Sequence, residues 1–417
     1  MNRRHFLLTA SAGASQSWAG ASDRVRVAVI GVGSRGSGHI REILPLSNME
    51  VAALVDPDGR RTETAASLVF QKTGKRPKLE SDMRRVFDDK EIDAVTIATT
   101  NHWHALTAIW AMQAGKDVYV EKPVSHNIWE GRKLVEAARK YKRIAAGGTQ
   151  RRWGGRFRKA IELIHGGAIG DIYQSNFFFP GRRDSIGFKE PKEPPAWLNW
   201  DLWLGPAPMQ PYHENLVHYN WHWFWDFGNG ELGNNGIHLI DILRWGMRKQ
   251  QMPVRVHSTG GRFGYKDQAQ TPNTQNITWV YDDGSMIVGQ LRGLYTAEPM
   301  SWDFFGTKGH MHMTAGGQFR IVMGRNKAPE PEVEYPANLD HFANFADAVR
   351  ARDPKLLHAE IEETHLSTAL CHLGNISYRL GRDLRFDPAR MQFVGDAEAN
   401  RLLTREYRKP YVVPDNV

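Results

Sequence analysis

Two hydrophobic periods alternate along the first part of the chain. Short apolar runs at Val25–Ile30, Val51–Val55, Asp93–Ala98, Asp117–Val120 and near Ile144 read as buried strands. Segments of helical period lie between them: from about Ser37, over Arg60–Thr73, from the Thr99–His104 loop to about Gly115, and over Asn127–Tyr141. Strand alternating with helix predicts a parallel sheet. After about Gly147 the pattern changes. A helix over Arg156–His165 leads into a long strand, Asp171–Phe179, and alternating strands follow at 254–263, 275–282 and 285–293. Asp282-Asp283-Gly284 is a hairpin signal between the last two. Shorter strands near 302–314 and 318–323 and helices over 338–352 and 359–380 complete the pattern. The expected fold is an α/β Rossmann domain over 22–147, then an α+β domain with a large, mainly antiparallel sheet over 148–417.

The glycine turn gives the first domain its chemistry. Gly31-Val32-Gly33-Ser34-Arg35-Gly36 sits between a strand and a helix, and Asp56 ends the next strand. Gly31 permits a tight turn, Gly33 a close approach to a pyrophosphate, and Gly36 close helix–strand packing. The helix N-terminus offers free N–H groups to phosphate. Asp56 suits the ribose hydroxyls of NAD and would repel a 2′-phosphate. Arg60 and Arg61 keep NADP open, although the helical pattern puts them on a solvated face. The Thr99-Thr100-Asn101-His102-Trp103-His104 loop and Glu121-Lys122-Pro123 also follow strand ends, where ligands of such sheets bind. Thr99, Asn101, Trp103, His104, Glu121, Lys122 and Gln150 therefore join Gly31, Gly33, Ser34, Arg35, Gly36 and Asp56 as expected cofactor contacts.

Composition narrows the rest. The 417 residues allow two domains, and 41% hydrophobic with 24% charged residues is a globular balance. The net charge of +8 is spread among interspersed acids and bases, so no nucleic-acid arm is expected. The one cysteine, Cys371, excludes an intramolecular disulfide and a multi-cysteine metal site. Near the start, Arg3-Arg4-His5-Phe6-Leu7-Leu8 precedes a weak apolar stretch and small residues through Ala21. This looks like a twin-arginine export signal over 1–21, implying a periplasmic or otherwise exported protein. The stretch is too short for a stable membrane span.

Residues 180–230 fit neither period. Six of the fourteen tryptophans fall between Trp197 and Trp225, with His213, His218 and His222 among them. Two readings stand for Trp221 and Trp223: an aromatic wall against sugar C–H faces, or a loop buried against the second domain or a partner subunit. The histidines lack carboxylate or cysteine ligands at a regular spacing, so no metal is expected.

On these marks, together with Gly233-Asn234-Asn235-Gly236-Ile237-His238-Leu239-Ile240-Asp241 and the stretch around His372-Leu373-Gly374-Asn375-Ile376, the chain resembles the glucose–fructose oxidoreductase and inositol dehydrogenase family (Gfo/Idh/MocA), in a secreted subgroup. The resemblance implies an NAD(P)-dependent oxidoreductase acting on a secondary hydroxyl of a sugar or glycoside. It makes Lys122 catalytic and gives His238 the hydroxyl proton. The family partners that histidine with an aspartate four residues earlier, where this chain has Asn234. Asn234 can orient His238 but supplies no charge, and Asp226 is another acid that could serve it. Gln150, Arg151 and Arg152 could reach substrate oxygens. A homo-oligomer is expected. A redox-neutral, NAD-dependent glycosidase or lyase and a non-catalytic dinucleotide-binding sensor are the alternatives.

Overall fold

The structure is a computed structural model and describes residues 24–324 and 334–417. The expected export signal lies outside the described residues. Strands β1 (Val25–Ile30), β2 (Met49–Val55), β3 (Lys78–Glu80), β4 (Ala94–Ile97), β5 (Asp117–Val120) and β6 (Ala145–Gly147) form a six-stranded sheet in the order β3-β2-β1-β4-β5-β6. Its pairings are all parallel. Helices α1 (Ser34–Ile43), α2 (Gly59–Thr73), α3 (Arg84–Phe87), α4 (Asn101–Gln113) and α5 (Ile128–Lys140) make the crossovers. Val27 and Val29 pack with α1 and α2, while Ala28 and Ile30 pack with α4 and α5. Cover on both faces explains why these strands read as continuous apolar runs. The short edge strand β3 carries Lys78 and Glu80 and escapes that pattern. Strand order reverses between β1 and β4, which opens a crevice at their carboxyl ends.

The second sheet is built by β7 (Ile172–Phe179), β8 (Arg255–Gly261), β9 (Thr274–Val280), β10 (Met286–Arg292), β11 (Ser301–Gly306), β12 (Gly309–Thr314), β13 (Phe319–Met323), β14 (Leu384–Asp387) and β15 (Gln392–Phe393). Its order is β13-β12-β11-β7-β10-β9-β8-β14-β15. The sheet is antiparallel except where β7 runs parallel to β10. Stretch 302–314 is a hairpin, with Phe305 opposite His310. Gly284 makes the β9–β10 turn at φ +82°, a conformation that suits glycine. One face of the sheet is buried under α6 (Gly155–His165), α8 (Ile237–Gly246) and α10 (Ile361–Leu380). The smaller helices α7 (Trp200–Leu204), α9 (His341–Ala351) and α11 (Ala397–Arg401) complete the described elements.

The chain returns to the first sheet after building the second. Asp340 caps α9 by accepting from Phe342 N and Ala343 N. Phe342 and Phe345 then pack with Val27, Val29 and Ala146, on the same face as α1 and α2. Tyr411, Val413 and Val417 join the opposite face with Ile30 and Leu106. Helix α10 is shared by both sheets. A Cβ on Gly131 would lie 2.2 Å from His365 Nδ1, and one on Gly147 2.4 Å from Thr364 Oγ1. On its other side Leu370 O accepts from Trp279 Nε1 at 3.0 Å. Among the described residues no helix is long and apolar enough to cross a membrane.

The α9 contact is open to a direct test. Phe342→Ala empties a fully buried position against β1, and we expect a loss of about 3–5 kcal/mol of unfolding free energy. A denaturant midpoint within error of wild type would mean that α9 does not belong to that core.

Candidate active site

The glycine turn is shaped by backbone contact. Gly31 has φ +80°, and a Cβ there would lie 2.6 Å from Ala98 O. A Cβ on Gly36 would lie 1.8 Å from Gly31 O, so only glycine lets α1 approach β1 this closely. No side chain caps α1 at Gly33, which leaves first-turn N–H groups free for an anion. Asp56, at the end of β2, ties this turn down. Its Oδ2 accepts from Val32 N and its Oδ1 from Asp58 N, each at 2.9 Å. Further lone pairs remain for hydroxyl donors. Burial pushes the Asp56 pKa up to about 6.

From this turn a cavity of about 350 Å³ runs along the strand ends. Gly31, Gly33, Ser34 and Asp56 line one end, Glu121, Lys122 and Asn234 the other, Arg35 reaches between them, and Thr99, Asn101, Trp103 and His104 form the wall. Gly36 lies behind the turn. Gln150 stands one step back from the cavity, donating to Glu121 Oε1 at 2.7 Å.

Glu121 is the hub of the far end. Its Oε1 also accepts from Arg35 Nε at 2.7 Å and lies 3.1 Å from His39 Nε2, while Oε2 accepts from Lys122 N at 3.2 Å. Burial opposes the charge, yet the His39 contact and the Arg35 charge hold this carboxyl well below the usual range. Lys122 Nζ donates to Asn234 O at 2.7 Å and lies 3.5 Å from Asn234 Oδ1. Asn234 sits in a π-helical turn, Leu232–Gly236, just before α8. Such turns recur at functional sites because they redirect backbone groups. Burial lowers the Lys122 pKa against the pull of Glu121 and Glu231.

Several expected partnerships are rearranged. Asn234 serves Lys122; no hydrogen bond joins it to His238. His238 is outside the cavity wall, its Nδ1 is buried without a partner among the described residues, and burial followed by Lys122 and Arg151 pushes its pKa down to about 3. Asp226 accepts from Gln210 rather than reaching His238. Arg152 is committed to a bidentate pair with Asp241, both bonds 2.8 Å, in the core. It is therefore not free for substrate oxygens, because a buried charge keeps its partner. Arg151 donates to Ala315 O and lies 4.8 Å over the Trp302 ring.

The aromatic segment docks on the first domain. Leu202 O accepts from Trp103 Nε1 at 3.0 Å, and Trp203 O lies 3.2 Å from His102 Nε2. Leu202, Trp203, Trp221 and His222 line the cavity, so the segment roofs it. Trp223 does not: it is buried behind, under the Arg183 guanidinium at 5.1 Å. The helical pattern separated Arg60 and Arg61 too little. Arg60 stacks on Trp197 at 3.5 Å, whereas Arg61 lines the cavity with Nη1 beside Gly33. Tyr411 also enters the wall, meeting Trp103 edge-on at 5.3 Å. No local pattern marks Tyr411, and the helical pattern puts Arg61 on a solvated face instead of in the cavity; the dense Trp221–Trp225 run is the sign of His222.

Residues 25–149 match the description "Oxidoreductase family, NAD-binding Rossmann fold" and residues 170–413 "Oxidoreductase family, C-terminal alpha/beta domain", the two halves of Gfo/Idh/MocA. The chain belongs to this oxidoreductase family. A glycosyl hydrolase family 109 protein of Shewanella pealeana is 31% identical over 168 residues, 33% of this chain and 37% of that one. Inositol 2-dehydrogenase 3 of Saccharopolyspora erythraea is 32% identical over 148 residues, 35% and 42% of the two chains. The chain thus spans less than half the length of these relatives. Among solved structures, the WlbA dehydrogenase of Bordetella pertussis in complex with NADH and UDP-GlcNAcA has TM-score 0.65 at 18% identity, covering 87% of this chain and 99% of that one. The aldose-aldose oxidoreductase of Caulobacter crescentus complexed with glycerol has TM-score 0.65 at 18% identity, covering 87% and 100%. At that identity the likeness is one of fold. The cofactor of this Rossmann domain is NAD, and the Gly31 cradle, the uncapped α1 terminus and Asp56 fit it.

The raised Asp56 pKa gives NAD binding a pH signature. Below about pH 6 the free protein holds a proton on Asp56 that ribose hydroxyl donors must displace. NAD affinity should fall as pH drops from 7 to 5, by up to about tenfold per unit below the pKa. Burial pushes His218 down to about 4 and His222 to about 3, below this window, and lowers His104 as well. Calorimetry across that range should show a flat profile in Asp56→Asn. An equal slope in both proteins would exclude Asp56 as the titrating group.

Proposed function

We propose that this protein oxidises a secondary hydroxyl of a sugar or glycoside, with NAD held tightly in the cavity. The observation that carries the reading is Lys122: a lysine with a lowered pKa, at a strand end in the cavity wall, held by a backbone carbonyl instead of a carboxylate. NAD, when bound, supplies the hydride acceptor. Lys122 handles the proton. In its neutral form Nζ takes the hydrogen of the hydroxyl, and Asn234 O accepts one N–H of the ammonium so formed. Glu121 steadies that ammonium from the same turn of chain. Trp203 and Trp221 roof the site and keep water from it. Trp221 offers a flat face for sugar C–H groups.

The relative named as a glycosyl hydrolase family 109 protein supports a second reading. There, oxidation at one carbon would be followed by loss of the glycosidic bond and return of the hydride, with no net redox change. Export by the Arg3-Arg4 signal remains part of the proposal, and it suits an enzyme that carries its cofactor with it.

A sugar screen followed by absorbance near the NADH band tests both readings, since only net oxidation accumulates NADH. Lys122→Ala should cut turnover by about 10²–10⁴-fold while dinucleotide stays bound. Full activity in that variant would remove Lys122 from the chemistry. Asn234→Asp tests the contact between them. A carboxylate beside Nζ stabilises the ammonium and raises its pKa. The limb of the kcat/KM profile on which rate rises with pH should then move to higher pH. An unmoved limb in a folded, active variant would mean that Lys122 is not the group that titrates.

A further inference from the structure

One imidazole in the cavity wall has no part in the chemistry above. His222 lies in the short helical turn Asn220–Trp223 and lines the cavity together with Lys122 and Asn234. Its Nδ1 is 2.6 Å from Tyr219 O. A carbonyl only accepts, so Nδ1 carries the hydrogen and Nε2 is left as a bare acceptor. No donor among the described residues reaches Nε2, and that atom is not sealed from the cavity.

The direction of this lone pair is fixed. The ring stacks on Trp221 at 3.6 Å and 19°. Trp221 is itself anchored by Nε1, which donates to His218 O at 3.1 Å. Behind the ring, a Cβ on Gly228 would lie 2.5 Å from His222 Cα, so the backbone has no room to swing. His238 has none of this. It is outside the wall and its Nδ1 has no acceptor among the described residues.

The charges around His222 decide what it can do. Burial is the largest influence and disfavours an imidazolium; Tyr219 O comes next and favours it, and Lys122 after β5, Arg183 after β7 and His104 on α4 each disfavour it by less. A ring that holds a proton so weakly makes a poor base for a carbinol. It makes a good hydrogen-bond acceptor that stays neutral across physiological pH.

We propose that His222 is a specificity-determining residue: its Nε2 accepts from the hydroxyl next to the one that Lys122 deprotonates, and so selects substrates with a vicinal diol. This rests on the oxidation reading above and names the substrate class for it. A site that spends a fixed acceptor on a hydroxyl rejects the analogue lacking it far more strongly than an apolar pocket rejects a missing methylene, because the acceptor is left unpaired.

The test pairs a sugar bearing a vicinal diol with its analogue deoxygenated at one of the two carbons. Two variants bracket the ring. His222→Phe keeps the stack on Trp221 and removes both nitrogens; His222→Asn keeps an amide donor for Tyr219 O and removes the Nε2 acceptor. Wild type should prefer the diol by 100-fold or more in kcat/KM. Both variants should compress that preference below tenfold, chiefly by losing activity on the diol, with NAD affinity unchanged. Preference retained in both, or equal losses on both sugars, would overturn the assignment. Equilibrium binding of the same pair to NADH-loaded protein reads the contact without turnover. Discrimination in wild type that vanishes in His222→Phe, with no oxidation of either sugar, would sink the oxidation reading alone.

Discussion

Everything at the far end of the cavity depends on one buried carboxylate. Glu121 follows β5 and gathers donors from α1 (Arg35), from Lys122 and from Gln150, with His39 alongside. A buried charge is tolerable only when paired and hydrogen-bonded. Here the pairing also joins the glycine turn to the lysine that follows Glu121. The backbone has been fitted to it: a Cβ on Gly148 would lie 2.8 Å from Glu121 Oε2. Position of the turn and position of Lys122 thus come from a single group.

The second constraint is the shared helix. Both sheets pack on α10, and the contacts on its first-domain side leave no room for a side chain at Gly131 or Gly147. Rigid docking of this kind lets residues from remote segments meet within hydrogen-bond distance. Lys122 and Asn234 stand 112 positions apart, yet the contact between them is 2.7 Å. The aromatic segment uses the same rigidity. Hydrogen bonds from Trp103 and near His102 to carbonyls of residues 202–204 hold it over the crevice instead of leaving it as a loose loop.

How much of this could be read along the chain follows from the range of the forces involved. The glycine turn, Asp56 and Glu121-Lys122-Pro123 are local devices. Each is defined by a strand end and a few residues after it, so periodicity exposes it. The two sheets were legible for the same reason, since inward and outward positions alternate within each strand. The short polar strand β3 was not, because it lies at an edge and buries little. Nor were the partners of Asn234, Arg152 and His222 legible. Arg152 and Asp241 are a charged pair 89 positions apart, and an arginine beside a site looks the same in a sequence whether it binds a ligand or closes a core. The family resemblance implied Asn234 as the partner of His238. The π-helical turn presents the Asn234 carbonyl to Lys122 instead.

That substitution of carbonyl for carboxylate has an electrostatic consequence. The acids nearest Lys122 are already engaged: Glu121 by Arg35 and Glu231 by Arg183, the latter through bonds of 2.6 and 3.0 Å. Each pair is close to neutral at a distance, so the Lys122 ammonium receives hydrogen bonding without a dedicated counter-charge. Burial then dominates, and its pKa falls. An aspartate at position 234 would restore the counter-charge and keep the ammonium protonated to higher pH. Burial first, with the Lys122 charge adding to it, keeps both nearby imidazoles neutral. On the proposed reaction this divides the labour of the site: the lysine exchanges the proton, and the histidine in the wall accepts a hydrogen bond.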